Sequence, residues 1–308
     1  MERRRIGSLE VSVVGLGCNN FGWRIGKDAT REVLAASLDG GVNFLDTADM
    51  YDTGVSEEFM GEALGDRRKD VVIATKFGFS MGDGPNGAKE GASPAYVREA
   101  CDASLRRLKT DHIDLYQLHT PDPKTPIGDT LEALDGLVKA GKVREIGCSN
   151  FSVEQLQEAA LAVKAGAARF LTVQNHYSLF HREPEAGMLA ECAATGVGFI
   201  PYFPLANGLL SGKYRKGQPV PDNSRIKDSW GPNMFNDHNM DIIEKLVAFA
   251  EAHGHTLLEL ATCWLAAQPS VVSVISGAKT VAQATQNAAA GNWTLTAAEA
   301  AEISKLAS

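Results

Sequence analysis

The chain has 308 residues, of which 44% are hydrophobic and 22% are charged; this is the composition of a globular protein rather than of a disordered or fibrous one. Its net charge of -8 favours neither nucleic acid nor an anionic membrane as a partner. The five cysteines show no C-x-x-C spacing, so we expect no disulfide framework and no metal cluster, and a reducing, cytoplasmic location. No signal peptide or membrane span is predicted.

Short apolar strands alternate with amphipathic helices along the chain. A turn at Gly7-Ser8 predicts an N-terminal hairpin. Eight strands are predicted at residues 11–16, 42–46, 71–76, 113–119, 143–149, 171–174, 198–202 and 272–276. Helices are predicted at 30–38, 57–64, 94–108, 127–139, 153–163, 185–194, 241–252, 257–267, 281–290 and 297–306. Strict alternation predicts a parallel sheet, and eight units predict a closed (β/α)8 TIM barrel.

This barrel is expected to form a single domain over residues 1–308, with the hairpin at one end of the chain and additional helices at the other. Two long loops are predicted at 78–93 and 206–239, and each follows a strand. Loops of this length in a compact domain are usually functional. Both loops should therefore lie on the same face of the barrel.

Most of the predicted strands end in a polar or reactive group. These groups, in chain order, are Asp46, Lys76, His119, Ser149 with Asn150, Gln174, Tyr202, and Lys279 after Gly277. The carboxyl ends of parallel barrel strands meet at one mouth, where such enzymes place their chemistry. The sequence therefore predicts a polar site at that mouth.

Four of the residues near these ends suit proton transfer. A phenol such as Tyr51 has a pKa near ~10, and a neighbouring ammonium such as Lys76 lowers it. Asp46 can keep that ammonium charged, and His119 can polarise a carbonyl oxygen. Each residue alone has an ordinary structural interpretation, such as a turn, a cap or packing. Together they suit protonation of a developing alkoxide, but they supply no hydride, so a cofactor is required.

Nine segments of the chain resemble motifs of the aldo-keto reductase superfamily. They are residues 46–51 (DTADMY), 74–76 (ATK), 118–122 (LHTPD), 141–144 (GKVR), 146–151 (IGCSNF), 174–175 (QN), 202–205 (YFPL), 208–214 (GLLSGKY) and 277–279 (GAK), with Asn287 beyond the last of them. The motifs occur in order and cover nearly the whole chain. The resemblance implies a barrel that binds NADP(H) and transfers hydride directly to or from a carbonyl carbon.

The resemblance also implies a role for each matching residue. Tyr51 becomes the general acid/base, with Asp46, Lys76 and His119 as its catalytic partners. The residues implied to bind the cofactor are Ser149, Asn150, Gln174, Tyr202, Leu205, Gly208, Leu210, Gly212, Lys213, Gly277, Lys279, Gln283 and Asn287. Lys279 begins a helix and suits a 2'-phosphate.

Three positions depart from the family's usual pattern. Lys279 replaces a common Arg, Gln283 lies where some members carry Arg, and Phe203 lies where a small hydroxyl residue is more usual. NADPH is expected as the cofactor. Because Lys and Arg bind phosphate with different geometries, NADH is possible as well.

The substrate end of the site is less clearly marked. Candidates for the pocket wall are Trp23, Met50, Phe77, Phe79 and Trp230, each of which could equally be an ordinary packing residue. Aromatic walls accept apolar carbonyls and sugar aldehydes alike. The natural substrate and the oligomeric state stay open.

The sequence thus predicts an NADP(H)-dependent oxidoreductase that interconverts aldehydes or ketones and alcohols. Two alternatives remain. One is a non-catalytic regulatory barrel that binds nicotinamide, similar to potassium-channel β-subunits. The other is an aldolase-type barrel that forms a Schiff base on Lys76.

Overall fold

A computed structural model describes residues 1–84, 87–88, 90–220, 224 and 234–308 of the chain. The chain begins with an antiparallel hairpin of β1 (Arg3–Ile6) and β2 (Leu9–Ser12), joined at Gly7-Ser8 as predicted. Its apolar side chains Ile6 and Leu9 pack inside the barrel against the residues that begin the strands. The hairpin therefore closes the amino-terminal end of the barrel.

Eight parallel strands form the barrel. They are β3 (Val14–Gly17), β4 (Phe44–Asp46), β5 (Val72–Phe77), β8 (Ile113–Leu118), β9 (Val143–Ser149), β10 (Phe170–His176), β11 (Gly198–Tyr202) and β12 (Val274–Gly277). Two short strands, β6 (Asp83–Gly84) and β7 (Gly87–Ala88), come between β5 and β8 along the chain and form a separate sheet. The sheet runs from β11 through β10, β9, β8, β5, β4 and β3 to β12. A bridge between Phe199 and Val271 joins its two edges and nearly closes the ring.

Helices cover the outside of this ring. They are α1 (Lys27–Asp39), α2 (Val55–Leu64), α3 (Pro94–Leu108), α4 (Ile127–Lys139), α5 (Val153–Ala162), α6 (Met188–Thr195), α7 (Asp237–Ala252), α8 (Leu257–Ala266), α9 (Val281–Ala289) and α10 (Ala297–Leu306). Ser93 caps α3 ahead of Pro94, and capping boxes begin α5, α8 and α10. Among the described residues, no helix is long and apolar enough to span a bilayer.

The eight-stranded barrel, its hairpin and its C-terminal helices confirm the predicted fold, although some boundaries differ. The predicted strand 11–16 is divided at Val13, because its first residues pair within the hairpin. The predicted helix 185–194 begins only at Met188, because Gly187 has a φ of 147°. The predicted loop 78–93 contains two short paired strands, β6 (Asp83–Gly84) and β7 (Gly87–Ala88).

The second predicted loop, 206–239, is also partly ordered. A 3-10 helix spans Ala206–Ser211, and α7 begins at Asp237 rather than at residue 241 because Asn236 caps it. Trp230, which was predicted to line the substrate pocket, lies outside the described residues.

Candidate active site

A cavity of about 640 Å³ opens at the carboxyl ends of the barrel strands. This volume lies within the usual range of small-molecule sites, ~300–1,000 Å³. The cavity brings together most of the residues that the sequence indicated. They are Asp46, Tyr51, His119, Ser149, Asn150, Gln174, Tyr202, Leu205, Gly208, Lys213, Gly277, Lys279, Gln283 and Asn287.

Lys76 lies directly beneath this cavity, with no exposed surface. Its Nζ donates hydrogen bonds to Asp46 Oδ2 at 2.7 Å, to the carbonyl oxygen of Thr47 at 2.8 Å and to Tyr51 Oη at 3.3 Å. A buried ammonium is tolerated only when such partners replace its water. The ammonium therefore joins the carboxylate to the phenol.

Tyr51 begins a tight turn that ends at Gly54. Asp52 and Thr53 within it have φ values of 49° and 55°, in the left-handed region that side chains other than glycine rarely adopt. A Cβ on Gly54 would lie 2.7 Å from Arg107 Cδ, so the turn is pressed against that side chain. Such strain is concentrated at functional sites, and the phenol that begins this turn lies 3.3 Å from Lys76 Nζ.

The electrostatics of the pair differ from the simple expectation. Burial raises the pKa of Tyr51 above its ordinary value, and the charge of Lys76, which lowers it, offsets only part of this. Burial alone would lower the pKa of Lys76, but Asp46 and Tyr51 together raise it. At neutral pH the phenol therefore keeps its proton and the lysine keeps its charge.

His119 follows β8 and is nearly buried. Burial, and then the nearby charge of Lys76, hold the pKa of His119 well below its usual range, so the imidazole is neutral at pH 7. The ring of Phe79 packs edge-on against the imidazole, with 4.5 Å between the ring centroids. The ring centroid of Tyr51 lies 6.0 Å from that of His119. A neutral imidazole here can donate one hydrogen bond to a carbonyl oxygen.

A row of amides and hydroxyls continues along the wall of the cavity. Ser149 Oγ donates to the carbonyl oxygen of Gln174 at 2.7 Å, and Gln174 Nε2 donates to Asp46 Oδ1 at 2.8 Å. Asn150 Nδ2 donates to the carbonyl oxygen of His119 at 2.9 Å. The wall is thus hydrogen-bonded to the Asp46–Lys76–Tyr51 group.

Tyr202 completes this wall. Its hydroxyl donates to Asn150 Oδ1 at 2.9 Å, and His176 stacks on it with 5.4 Å between ring centroids. Phe203 packs edge-on against both rings. These contacts leave Tyr202 in the cavity wall as a flat, fixed surface.

The far end of the cavity is basic. A Cβ on Gly208 would lie 3.4 Å from Lys213 Nζ, so the lysine crosses closely over a left-handed glycine with a φ of 93°. On the other side, the backbone N–H of Lys279 donates to Gln283 Oε1 at 2.8 Å at the start of α9. Lysines line both sides of this end of the cavity, and Lys279 also lies at a helix amino terminus, so this end suits an anionic ligand.

Several of the predicted site residues do not line the cavity. Phe77 is fully buried among the core side chains and stacks on Tyr116, with 4.6 Å between centroids, so its prediction as a pocket wall is wrong. Leu210 is likewise buried in the core, and Gly212 ends the turn after it. Trp23 is 60% exposed, with the guanidinium of Arg24 over its ring.

Met50, also predicted for the pocket, is partly exposed and lies outside the described lining. Sequence reasoning missed other lining residues, among them Cys18, Asn19, Thr120, Asn207 and Ser211. Cys18, Asn19 and Thr120 lie in the loops just after strands, and Asn207 and Ser211 lie in the 3-10 helix that follows β11. Their position after strands was the available signal. Gln117 was missed as well, although a polar residue inside the apolar segment IDLYQL is itself a signal.

Comparison with known proteins agrees with this geometry. Residues 13–308 match the model of the "Aldo/keto reductase family". Over 299 residues the chain is 35% identical to the "Probable voltage-gated potassium channel subunit beta" of Arabidopsis thaliana, covering 93% of this chain and 90% of that one. It is 34% identical to the "Uncharacterized oxidoreductase YqkF" of Bacillus subtilis (strain 168), covering 95% and 92%.

A solved structure is similar over nearly its full length. The glycerol dehydrogenase AKR11B4 from Gluconobacter oxydans is 30% identical, with a TM-score of 0.85 and a coverage of 99% of this chain and 94% of that one. Together with the barrel and the site geometry, these matches show that the chain belongs to the aldo/keto reductase family.

Proposed function

We propose that this protein is an NADP(H)-dependent oxidoreductase that reduces aldehydes and ketones to alcohols, or catalyses the reverse reaction, with Tyr51 as the general acid/base. One observation carries the proposal: Lys76 Nζ lies between Asp46 Oδ2 and Tyr51 Oη, directly beneath a cavity large enough for a small molecule. A buried ammonium held against a phenol suits proton transfer to a substrate oxygen.

The cavity fits a nicotinamide dinucleotide. Ser149, Asn150 and Gln174 offer amide and hydroxyl groups for the carboxamide, and Tyr202 offers a flat surface for the ring. In the turn after β11, the three residues that line the cavity, Leu205, Gly208 and Lys213, suit the pyrophosphate, whereas Leu210 and Gly212 lie outside the described lining. Gly277, Lys279, Gln283 and Asn287 suit the adenosine end. When bound, the dinucleotide supplies the hydride.

The protein's own groups handle the proton. In carbonyl reduction Tyr51 donates its proton to the developing alkoxide, and its raised pKa keeps that proton available at neutral pH. The ammonium of Lys76 then stabilises the phenolate that remains. His119, which is neutral, donates a hydrogen bond that holds the carbonyl oxygen beside Tyr51.

Lys279 carries the proposed preference for NADPH. It lies at the start of α9, where its ammonium and the helix amino terminus both favour an extra phosphate. A single lysine makes fewer directed hydrogen bonds than arginine does, so we propose that NADH is also accepted, more weakly.

The two alternatives are less well supported. A Schiff base requires an unprotonated, accessible amine, whereas Lys76 is fully buried, its pKa is raised, and its Nζ is occupied by three partners. A regulatory role like that of channel subunits receives support from the similarity to a probable channel subunit. The complete set of Asp46, Tyr51, Lys76 and His119 around one cavity nevertheless favours catalysis.

The deciding experiment is a panel of aldehydes, ketones and sugars assayed with NADPH and with NADH in parallel. We expect substrate-dependent loss of the reduced-nicotinamide absorbance, faster with NADPH. Binding of NADPH without turnover on any carbonyl or alcohol would instead support the regulatory alternative. Borohydride-trapped substrate on Lys76 would support the Schiff-base alternative.

A further inference from the structure

A buried glutamine lies beneath the cavity and has no part in the mechanism above. Gln117 is on β8, is fully buried, and is the register partner of Lys76 on the neighbouring strand β5. Its Nε2 lies 3.3 Å from Asp46 Oδ1. Burial inside the barrel removes the water that would hydrogen-bond to the amide of a glutamine, so a protein partner has to replace that water.

The partner of Gln117 is Asp46, whose two carboxylate oxygens accept hydrogen bonds from different donors. Oδ2 accepts from Lys76 Nζ, and Oδ1 accepts from Gln174 at 2.8 Å and from Gln117 at 3.3 Å. A buried carboxylate is stable only when such donors replace its hydration. Two amides therefore share the oxygen that Lys76 does not hold.

The two amides differ in what they can reach. Gln174 lines the cavity, whereas Gln117 lies below it and is not part of its described lining. A ligand in the cavity can therefore compete for the amide of Gln174 but cannot reach that of Gln117. When Gln174 is drawn towards a ligand, Gln117 remains as the donor to Oδ1.

We propose that Gln117 is a positioning residue that keeps Asp46 ionised while Gln174 engages the cofactor, and that it thereby keeps Lys76 charged beside Tyr51. This inference rests on the proposed function, because it assigns the competing ligand to the nicotinamide end of the cavity. Gln117 touches neither substrate nor cofactor and acts through Asp46.

The charges around Asp46 leave few other ways to hold it ionised. Among the residues that the structure describes, Lys76 on β5 is the cation in contact with it. Burial raises the pKa of the Cys18 thiol far above its usual range, and burial also raises that of Tyr51, so both are neutral. His119 is neutral for the reason given above. The amide donors are thus the remaining support for the carboxylate.

The test is the pH dependence of kcat for carbonyl reduction, at saturating NADPH, in the variant Gln117→Met. Methionine keeps the length of the side chain but cannot donate a hydrogen bond. Loss of a donor favours the protonated form of the carboxyl group, so we expect the acidic limb of the profile to move up by about one pH unit. We also expect NADPH to bind more weakly, by up to about tenfold, because Gln174 can then turn to the cofactor only by leaving Asp46 Oδ1 without an amide donor.

The matched control is Thr172→Val. Thr172 is fully buried on β10, and its Oγ1 has no hydrogen-bond partner among the described residues. The pH profile of kcat in Thr172→Val should superimpose on that of the unmodified protein. If Gln117→Met gives an unshifted profile, or the same fractional loss at every pH, its role is only structural and the proposal is overturned. Failure of the unmodified protein on every carbonyl would instead reject the proposed function.

A second measurement needs no variant. In a crystal structure of the unmodified protein with NADP+, we expect Gln117 Nε2 to stay within hydrogen-bond distance of Asp46 Oδ1, at or below about 3.5 Å, while the amide of Gln174 turns to the ligand. A Gln117 side chain turned away from Asp46 in that complex would overturn the proposal even if Gln117→Met did not fold.

Discussion

The two ends of the barrel are formed by the same strands but by different kinds of residue. At the amino-terminal end, Ile6, Leu9 and Val11 of the hairpin pack against apolar side chains from the strands, and all are buried. At the carboxyl end, Asp46 and Lys76 are just as deeply buried but are charged. One end therefore stabilises the fold by burying apolar surface, whereas the other can hold its charges only through specific partners.

Backbone strain follows the same division. Seven residues other than glycine have positive φ among the described part of the chain, and six of them follow strands at the carboxyl end. These six are Asp52, Thr53, Asn150, Phe203, Ala206 and Asn207. Such conformations each cost about 1–3 kcal/mol. The hairpin end therefore supplies stability, and the cavity end uses part of it to fix functional groups.

The largest effect is expected from Tyr51→Phe. Removing the hydroxyl removes the proposed proton donor, so kcat should fall by about a thousandfold while NADPH affinity and Tm stay nearly unchanged. The control is Tyr116→Phe, because Tyr116 Oη is buried and has no hydrogen-bond partner among the described residues. Steady-state kinetics and NADPH titration measure both. Equal activity of the two variants would reject the assignment of Tyr51.

Leu9→Ala should lower stability and leave activity unchanged, the reverse of Tyr51→Phe. Leu9 is fully buried in the hairpin end, so its truncation should lower the free energy of unfolding by about 3 kcal/mol while kcat is unchanged. Leu161→Ala is the matched control, because Leu161 is 89% exposed and its loss should change stability by less than about 0.5 kcal/mol. Urea unfolding distinguishes them. Similar stability of the two variants would contradict the division between the ends.

Asp49→Asn tests whether the cavity end lowers stability. Burial, and then the negative charge of Glu57, raise the pKa of Asp49 from 3.8 to about 7. The folded protein therefore binds a proton that the unfolded chain releases, and stability falls as pH rises from about 4 to about 7. Asparagine cannot ionise, so the variant does not lose this stability. The difference in unfolding free energy between the variant and the unmodified protein should therefore favour the variant by about 2 kcal/mol more at pH 8 than at pH 5. Urea unfolding at both pH values measures this; the same gain at each would contradict the assignment.

The smallest effect concerns the basic edge of the cavity. In Lys279→Ala we expect KM for NADPH to rise about tenfold, because one charge beside the proposed 2'-phosphate is lost. KM for NADH, which lacks that phosphate, serves as the internal control and should be unchanged. A parallel rise for both cofactors would show that Lys279 does not distinguish them.

Sequence prediction succeeded for site residues at the ends of strands, because the position of a residue along a strand decides where its side chain points. Asp46 and Gln174 end predicted strands, and both line the cavity. It failed for Phe77, one residue beyond Lys76. Successive side chains on a strand point to opposite faces, so Phe77 packs outwards against the core while Lys76 points into the barrel. Applying that alternation to the sequence would have corrected the error.

The order of the amino acids already specifies the alternation of strands and helices, and therefore the barrel and the end at which its polar groups meet. Hydrophobic period and chain order carry that information. Two features become visible only in the folded protein: Gln117 and Gln174 share one oxygen of Asp46, and burial outweighs Lys76 in setting the pKa of Tyr51. Both depend on distances between strands remote in sequence and on the exclusion of water, which arise only when the ring of strands closes.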